Sequence, residues 1–393
     1  MTSLERIRTT LSHQEPDRVP YDLAGTTVTS ISPEAYRRAM VFRGLSPGYN
    51  ERRAVDPLSQ VIIPPEAALQ RLQVDTRRLG AHRILHWGRR LEEQGPVAGL
   101  TDQYGCRWLM DSRKDFYFHL LSSPLSRDGD LREALAGYRL PDLGREKDWL
   151  FALLDGQTGL PASGAWIADR CCAGLLEMSL RIRGFQQFYM DLALEPESSR
   201  RLFEMIADHK IEYWDLIAEY IEQRGLRQRV VVASECDDLG AQESLLVSPE
   251  MLRRLVFPAM RRYLGFIRKR LPWVKIFFHC CGAVREVLPD FIAMGIDILN
   301  PVQYTAAGMD LAGLKKDFGR DLVFWGGGVD TQSILCQGTP RQVAEEVRRT
   351  LDILAPGGGF VFTPVHNIQN DVPPENFWAM WEAWERYGRY GRA

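Results

Sequence analysis

The sequence predicts an α/β protein built on a parallel β-sheet, and three observations support this. From about residue 227 onward, short apolar or β-branched runs alternate with longer runs of helical period. Further strand-like runs occur earlier in the chain, and polar residues follow successive strands. Alternating strands and helices form parallel sheets, and eight such strands close a barrel. We therefore expect a (β/α)8 TIM barrel with an N-terminal helical extension and an inserted hairpin region, forming a single domain over residues 1–393.

The first half of the chain is expected to supply the extension, three strands and the insertion. The opening "MTSLERIRTT" is polar and of helical character, and it lacks the apolar core of a secretion signal. Residues 81–160 are less regular, and "WGRRLEEQGPVAGLTDQYGCRWLM" predicts a hairpin there. The three early strand candidates are "RVPYDLAG" (18–25), "VDTRRLG" (74–80) and "GAWIADRCC" (164–172).

The second half contains five strand–helix units. A cap at Ser248 followed by Pro249 marks the start of the first helix. The last helix, "PPENFWAMWEAWERYGRY", is rich in aromatic residues, which favours core packing on the outer wall, although a homodimer contact stays open. The predicted strands are 227–240, 274–284, 296–304, 322–330 and 359–368. The predicted helices are 248–270, 284–295, 310–319, 339–358 and 373–390.

Composition excludes several classes of function. The 393 residues are 45% hydrophobic and carry a formal net charge of −2, which gives no electrostatic footprint for nucleic acid. No uncharged apolar run is long enough to cross a membrane. The seven cysteines are scattered and odd in number, unlike a disulfide framework, so we expect a cytoplasmic protein with free thiols.

Polar residues lie where the predicted strands of the second half end. The carboxyl ends of barrel strands form the rim at which chemistry takes place, so these residues are candidates for an active site. They are Glu235, Asp237, Asp238, His279, Cys281, Asn300, Gln303, Asp330, His366 and Asn367.

The stretch "KIFFHCCGAV" carries the sharpest chemical signal. Side chains alternate along a strand, so His279 and Cys281 project to one side and Cys280 to the other. Zinc binds both imidazole and thiolate, and His366, at the end of a later strand, can supply the third ligand. Glu235 or Asp237 is a candidate fourth ligand, or that position stays open for substrate.

The remaining cysteines and histidines are weaker candidates. Cys280 is expected to fill the core, and Cys236 and Cys336 to be packing or loop residues. Whether the adjacent cysteines at 171 and 172 line the site stays open. The other histidines are expected on the surface or in loops: His13, His82, His86, His119 and His209.

Several motifs resemble the uroporphyrinogen decarboxylase superfamily, and within it the cobalamin-related methyltransferase branch. They include "SLERIRTTLSHQEPDRVPYDL", "FFHCCGAVREVLPDFIAMGIDILNPVQ", "FWGGGVDTQ" and "PGGGFVFTPVHNIQNDVPPEN". The resemblance implies a (β/α)8 barrel in which zinc activates a group to donate or accept a methyl group. It places the branch's His-x-Cys zinc pair on His279 and Cys281. The branch's third ligand, a cysteine, falls near His366, which is a departure.

The resemblance also implies a corrinoid as the other methyl carrier. The Asp-x-His-x-x-Gly signature of a corrinoid-binding domain does not occur in the sequence, so we expect the corrinoid on a separate partner protein. Glu235, Asp237 or Asp238 would move a proton or orient the ligands, by analogy with other zinc sites. The expected substrate-binding residues are Asn300, Gln303, Asp330 and Asn367.

Two alternatives stay open. One is a metal-independent lyase such as a decarboxylase, and the other is a non-catalytic barrel that binds a tetrapyrrole or corrinoid. The true decarboxylases carry an arginine-rich N-terminal signature that clamps a polycarboxylate substrate, whereas "RVPYDLAGTTVTS" offers only Arg18. Zinc-dependent methyl transfer to or from a small substrate is therefore the function that we expect.

Overall fold

The computed structural model describes residues 1–48, 56–81, 92–126, 129–158 and 164–391. The strands are β1 Thr76–Leu79, β2 Glu92–Gln94, β3 Val97–Thr101, β4 Arg107–Asp111, β5 His119–Ser122, β6 Ala165–Ala168, β7 Val230–Cys236, β8 Lys275–His279, β9 Ile298–Asn300, β10 Val323–Trp325 and β11 Phe360–Val361. Seven of them form a parallel sheet in the order β1-β6-β7-β8-β9-β10-β11, and β2 to β5 form a separate antiparallel sheet.

The α-helices lie mainly between and after the strands of the parallel sheet. They are α1 Ser3–Leu11, α2 Pro33–Phe42, α3 Glu66–Arg71, α4 Leu131–Gly137, α5 Lys147–Thr158, α6 Leu175–Arg183, α7 Phe185–Leu194, α8 Pro196–Gln223, α9 Pro249–Met251, α10 Phe257–Arg270, α11 Leu288–Ala293, α12 Leu311–Phe318, α13 Ile334–Gln337, α14 Pro340–Leu354 and α15 Pro374–Tyr387. A π-helical turn, Leu252–Val256, joins α9 to α10, and a 3-10 turn, Arg285–Val287, precedes α11.

The parallel sheet is buried on both faces, as expected when helices cover it from outside. The inner face contributes a compact apolar cluster that includes Ile167, Val232, Phe277 and Trp325. The opposite residues of the same strands, such as Phe278 and Leu299, belong to a larger cluster shared with the helices. This alternation of inward and outward side chains fixes which polar residues can reach the barrel axis.

A short N-terminal segment closes the sheet into a ring. The Phe362 amide donates to the Pro20 carbonyl oxygen, and the Asp22 amide donates to the Phe362 carbonyl oxygen, at 2.8 and 2.9 Å. On the other side, the Asp75 amide donates to the Tyr21 carbonyl oxygen at 2.8 Å. Residues 20–22 therefore take the eighth place, between β11 and β1. The predicted barrel is confirmed, and the early strand candidates supply its first three members.

A buried ion cluster fastens the N-terminal extension to the ring. Helix α1 begins at a capping box formed by Thr2 and Glu5. Its Arg6 donates to the buried Asp75 carboxylate at 2.6 Å, and Arg18 donates to the same carboxylate at 2.7 Å. The predicted helical extension is thus bound directly to the start of β1.

The insertion is larger than the predicted hairpin. Among the described residues it comprises the antiparallel strands β2 to β5, followed by α4 and α5. The predicted hairpin at 87–110 contains β2, β3 and most of β4, while its first residues, together with His82 and His86, lie outside the described part of the chain. A fourth strand, β5, and the loop before it were not predicted, and both border the site described below.

Two further expectations concern the outer wall and the thiols. Trp378 and Trp384 of α15 are buried against the barrel, so the prediction of core packing is confirmed. All seven cysteines are free thiols, as expected from their number and spacing. Within the described ranges, no helix combines the length and the apolar composition needed to cross a bilayer.

Candidate metal centre

Three potential metal ligands meet at the carboxyl-terminal rim of the barrel. One ligand atom each from His279, Cys281 and His366 lies within 4.8 Å of the other two. The Cys281 Sγ is 3.3 Å from the His279 Nε2, and the two imidazole rings are 5.4 Å apart between centroids. His279 ends β8, and His366 follows β11 after the chain has passed around the barrel. Two imidazole nitrogens and a sulfur in this arrangement match the donor set of a zinc site.

The register of neighbouring strands orients His279. Strands β8 and β9 pair so that His279 lies beside Asn300, and the His279 Nδ1 is 2.6 Å from the Asn300 Oδ1. The Asn300 Nδ2 donates to the Trp325 carbonyl oxygen at 2.7 Å, which leaves Oδ1 as the acceptor toward histidine. The hydrogen therefore belongs on Nδ1, and the lone pair of Nε2 points toward Cys281. Both ends of the Asn300 amide are thus engaged with the protein, and Asn300 does not border the cavity described below; its role in binding substrate stays a prediction.

Asn367 connects the end of the ring to its beginning. Its Oδ1 accepts a hydrogen bond from the Ser30 amide at 2.7 Å, and its Nδ2 donates to the Thr27 carbonyl oxygen at 3.0 Å. The side chain borders the cavity but is 2% exposed. Both ends of the amide fix the segment that carries His366, and the role of Asn367 in holding substrate stays a prediction.

The predicted acidic residues separate into different environments. The Glu235 carboxylate faces the helices outside the barrel, where Lys210 Nζ and Trp214 Nε1 of α8 donate to it at 2.6 and 2.7 Å. Both groups of this ion pair are fully buried. The structure therefore places Glu235 on the side of the sheet away from the three potential metal ligands, and nothing in this position supports the predicted role of ligand or proton carrier.

Asp237 is also directed away from the cluster. Its carboxylate accepts hydrogen bonds from the Leu176 and Glu177 amides at 2.9 and 3.0 Å, which satisfies the first turn of α6. Burial raises the pKa of Asp237 to about 7. In this position Asp237 anchors the helix that carries Glu177 and Arg181, and its predicted role as catalytic group or fourth ligand stays without support.

Asp238 is the acidic candidate that reaches the cavity. Its Oδ1 lies 3.4 Å from the Cys281 amide nitrogen, which donates to it. Burial, followed by the nearby Glu177 charge, raises the pKa of Asp238 to about 6. Burial and the Asp238 charge likewise raise the pKa of the Cys281 thiol. A divalent cation would reverse this effect, because a coordinating thiol loses its proton.

The two remaining substrate-binding candidates differ in position. Gln303 borders the cavity, and its Oε1 accepts a hydrogen bond from the Gly282 amide at 2.8 Å. Asp330 instead accepts bonds from the Ser333 amide and hydroxyl at 2.8 and 2.5 Å. Asp330 thus holds a turn whose Thr331 and Gln332 border the cavity, and its own contact with substrate stays a prediction.

The cavity above the cluster has a volume of about 1030 Å³ and includes residues that sequence reasoning missed. The insertion contributes a wall of aromatic and apolar residues, and the region between β6 and α7 contributes charged ones. The aromatic run "DFYFH" and the Asp-Arg pair after β6 were available signals. The wall residues are Trp108, Phe116, Tyr117, Phe118, His119 and Leu120; the charged residues are Arg170, Glu177 and Arg181.

The remaining cysteines and histidines differ in position. The sulfur atoms of Cys171 and Cys172 are 3.7 Å apart and buried, and neither residue borders the large cavity. His119 lies on an exposed strand, in keeping with the prediction. The prediction for His209 is wrong, because it lies buried on α8 with its Nε2 3.2 Å from the Tyr104 hydroxyl.

Comparison with known proteins places this geometry in context. The family model described as "Uroporphyrinogen decarboxylase (URO-D)" matches residues 176–387, more than half of the chain. No curated protein matches the sequence. A solved "methyltransferase from Methanosarcina mazei" has a similar fold, with a TM-score of 0.64 and 15% identity over 98% of this chain and 99% of that one.

More distant barrels also align with part of the chain. Xylanase A of P. fluorescens subsp. cellulosa gives a TM-score of 0.32 and 12% identity over 61% of this chain and 82% of its own. An intracellular xylanase of Thermoanaerobacterium saccharolyticum gives 0.31 and 9% over 65% and 85%. At these scores the similarity carries no argument about function.

Proposed function

The chain belongs to the uroporphyrinogen decarboxylase (URO-D) family, and on that premise we propose that it is a zinc-dependent methyltransferase. It would move a methyl group between a small substrate and a corrinoid carried on a separate protein. The observation that carries the proposal is the convergence of His279, Cys281 and His366 within one cavity. The full-length similarity in fold to a methyltransferase is consistent with it.

The residues present fit a catalytic zinc ion. Such sites have three protein ligands and one position left for water or substrate, and here two imidazoles and one thiol converge. Asn300 holds His279 with its Nε2 directed toward the Cys281 sulfur. With one thiolate and two neutral imidazoles, the bound site would keep a net positive charge. When bound, zinc would act as a Lewis acid on the substrate heteroatom that carries or receives the methyl group.

The protein's own residues would bind the substrate, exclude water and handle a proton. Asp238 is placed to hold or accept a proton at the substrate heteroatom, since it borders the cavity beside Cys281 and its pKa is raised to about 6. Gln303 and the turn fixed by Asp330 also line the cavity. The aromatic wall from the insertion would keep water from the reacting atoms.

The rim of the cavity supports the proposal of a protein partner. Four large apolar side chains at the mouth are between 38% and 51% exposed: Phe116, Tyr117, Phe185 and Leu246. Exposed apolar patches of this kind mark interaction sites. A corrinoid-bearing protein that covers the mouth would shield these side chains while bringing its cofactor toward the metal ligands.

The decarboxylase alternative has one supporting observation, the presence of Arg170 and Arg181 in the cavity. Two arginines are few for a substrate with eight carboxylates, and Arg181 is already paired with Glu177. Arg18, the N-terminal arginine of the sequence analysis, is bound to Asp75 and does not border the cavity. A lyase of this kind would keep its activity in the presence of a chelator.

Metal analysis of the purified protein tests the proposal. We expect about one zinc ion per chain in the wild type and almost none in Cys281→Ser, because the mutant lacks one of three ligands. Cys280→Ala is the matched control: the neighbouring thiol is fully buried on the outer face of β8, so zinc should be retained. Asn300→Leu should weaken zinc binding by about 10- to 100-fold, since His279 loses its orienting partner.

Activity provides the second part of the test. Zinc-loaded protein is incubated with methoxy, methylamine or thiol compounds and free cobalamin in its cobalt(I) or methylated form, and the cobalamin spectrum is followed. Chelator or Cys281→Ser should abolish the spectral change, while Cys280→Ala should not. A metal-free wild type that retains full activity contradicts the proposal.

A further inference from the structure

Arg170 is a buried cation at the edge of the proposed substrate cavity, and two of its donors have no partner in the described part of the chain. It follows β6, is 1% exposed and borders the same cavity as the three metal ligands. Its Nη1 donates to Asp169 Oδ1 at 3.3 Å and to Ser234 Oγ at 3.2 Å. Its Nε and Nη2 have no hydrogen-bond partner among the described residues. Buried donors are almost always paired, so two unpaired donors on one guanidinium indicate a missing acceptor.

The carboxylate that is hydrogen-bonded to Arg170 is shared with a second arginine. This carboxylate, Asp169, is shared with Arg78, whose Nε donates to Asp169 Oδ2 at 2.8 Å, so two buried guanidinium groups depend on one carboxylate. The other arginine of the cavity, Arg181, forms an ion pair with Glu177 and packs over the Trp108 ring. An additional carboxylate beside Arg170 would accept from the two donors that Asp169 and Ser234 leave unpaired.

The shape of the unpaired edge identifies the type of anion. Nε–H and one Nη2–H point in parallel and match the two oxygens of a carboxylate. This chain uses the same edge elsewhere: Arg77 donates from Nε and Nη2 to Glu66 at 2.7 and 2.8 Å, and Arg224 donates from both to Asp155 at 2.8 Å. We infer that the Nε–Nη2 edge of Arg170 binds a carboxylate group of the substrate, an inference that rests on the proposed function.

The strand register gives the backbone separation between Arg170 and the metal ligand His279. Arg170 contacts Ser234, which lies on β7 two residues before Cys236, and Cys236 pairs with His279 of β8. Arg170 and His279 thus belong to positions two strands apart, a backbone separation of about 10 Å. A ring-sized body fits between them, and the aromatic wall of the insertion offers it a surface. The substrate class is therefore a carboxylate whose methyl-bearing heteroatom lies across a flat ring.

A binding experiment tests this inference without any methyl transfer. Calorimetric titration compares 4-methoxybenzoate with its neutral counterpart 4-methoxybenzamide, on protein with and without zinc. The wild type should bind the acid at least about tenfold more tightly than the amide in both metal states, because the carboxylate pairs with Arg170 rather than with the ion. Arg170→Gln should lower the affinity for the acid by at least about tenfold and leave the amide unchanged.

Two further variants make the result unambiguous. Arg170→Lys keeps the charge but loses the bidentate geometry, so its affinity for the acid should lie between those of the wild type and Arg170→Gln. Arg224→Gln removes an equal charge from a surface ion pair outside the cavity and should bind both ligands as the wild type does. Thermal unfolding of each variant shows whether it is folded.

The outcomes separate this inference from the proposed function. Equal affinity for acid and amide overturns the inference. So does acid binding that is lost when zinc is removed and is unchanged by substitution of Arg170. Either result leaves the proposed zinc methyltransferase intact. Binding that depends on Arg170 in a protein that takes up no zinc retains the carboxylate site and removes the proposed function instead.

Discussion

At the scale of single residues, one amide determines which nitrogen of His279 a metal ion can reach. Asn300 accepts from Nδ1 and is itself fixed by the Trp325 carbonyl, so Nε2 is directed toward the Cys281 sulfur. The three potential ligands could be predicted. His279 and Cys281 are two residues apart in a strand-like run and so face the same side, and His366 ends a later predicted strand. The role of Asn300 could not be predicted, since it depends on the register between β8 and β9.

Side-chain alternation along β7 separates the acidic residues at its end. Side chains alternate along β7, so Glu235 and Cys236 must point to opposite sides. Cys236 borders the cavity, and Glu235 therefore faces α8, where Lys210 neutralises it. The alternation that correctly paired His279 with Cys281 would have excluded Glu235. The identity of its partner, 25 residues earlier in the chain, could not be read from local sequence.

His209 makes stability depend on pH. Burial lowers its pKa from 6.5 to about 3 in the folded protein. The unfolded chain therefore binds more protons below about pH 6.5, so stability is complete above that pH and falls as the pH drops toward 3. Between pH 7 and pH 5 we expect this residue to remove about 2 kcal/mol of the free energy of unfolding.

Urea unfolding of His209→Gln at both pH values checks this. The mutant should lose about 2 kcal/mol less than the wild type between pH 7 and pH 5. Chelator is present throughout, so that loss of metal does not contribute. His119→Gln, at an exposed position, is the control and should follow the wild type. An unchanged pH dependence in His209→Gln would contradict the assignment.

At the scale of elements, the start of α6 is held in place by a side chain that directly follows strand β7. Asp237, just after β7, binds the first amides of α6, and Gly174 at its start lies so close that a Cβ there would overlap the Asp237 side chain. Gly174→Ala should therefore lower the free energy of unfolding by about 1–3 kcal/mol, as measured by urea denaturation.

A second glycine gives the opposite expectation. Gly265 lies inside α10, and a Cβ there would meet nothing within 4 Å. Gly265→Ala should raise the free energy of unfolding by about 0.5–1 kcal/mol, because alanine restricts the unfolded chain and favours the helix. If both substitutions had the same sign, the close contact between Gly174 and Asp237 would not be the cause.

The insertion was predicted only in part from sequence patterns. The hairpin signal located β3 and β4 because apolar residues there flank recognisable turns. The segment 115–122 reads as a loop followed by a short exposed strand, and its importance arises only where it meets the barrel rim. An aromatic run without clear period indicates burial against something, but the sequence does not say against what.

At the scale of the whole molecule, closure of the barrel depends on a buried carboxylate. Asp75 accepts from Arg6, Arg18 and the Tyr21 amide at 2.6, 2.7 and 2.9 Å, so it joins α1, the closing segment and β1. Asp75→Asn removes the charge that two partly or fully buried arginines share. We expect a loss of about 3 kcal/mol in the free energy of unfolding, measured by denaturant titration.

A surface carboxylate provides the matched comparison. Glu34 pairs with Arg37 on α2, and their side chains are 44% and 40% exposed. Glu34→Gln should change the free energy of unfolding by less than about 0.5 kcal/mol. A comparable loss in both variants would show that burial is not what gives Asp75 its importance.

The overall architecture was the most predictable property. Five regular strand–helix units in the second half leave few arrangements other than a parallel ring, and the strands at 76–79 and 165–168 complete most of it. The closing member was harder, because residues 20–22 make a single bridge rather than a full strand. Its place is determined by partners at both ends of the chain, which local pattern does not contain.

The position of His366 has a consequence for biosynthesis. The ribosome synthesises His279 and Cys281 long before it reaches residue 366. The segment that carries His366 is bound to Thr27 and Ser30 through Asn367. A nascent chain that ends before residue 366 thus has at most two of the three potential ligands, so the proposed zinc site would be complete only after synthesis has passed that residue. Metal occupancy would then report on completed synthesis as directly as on chemistry.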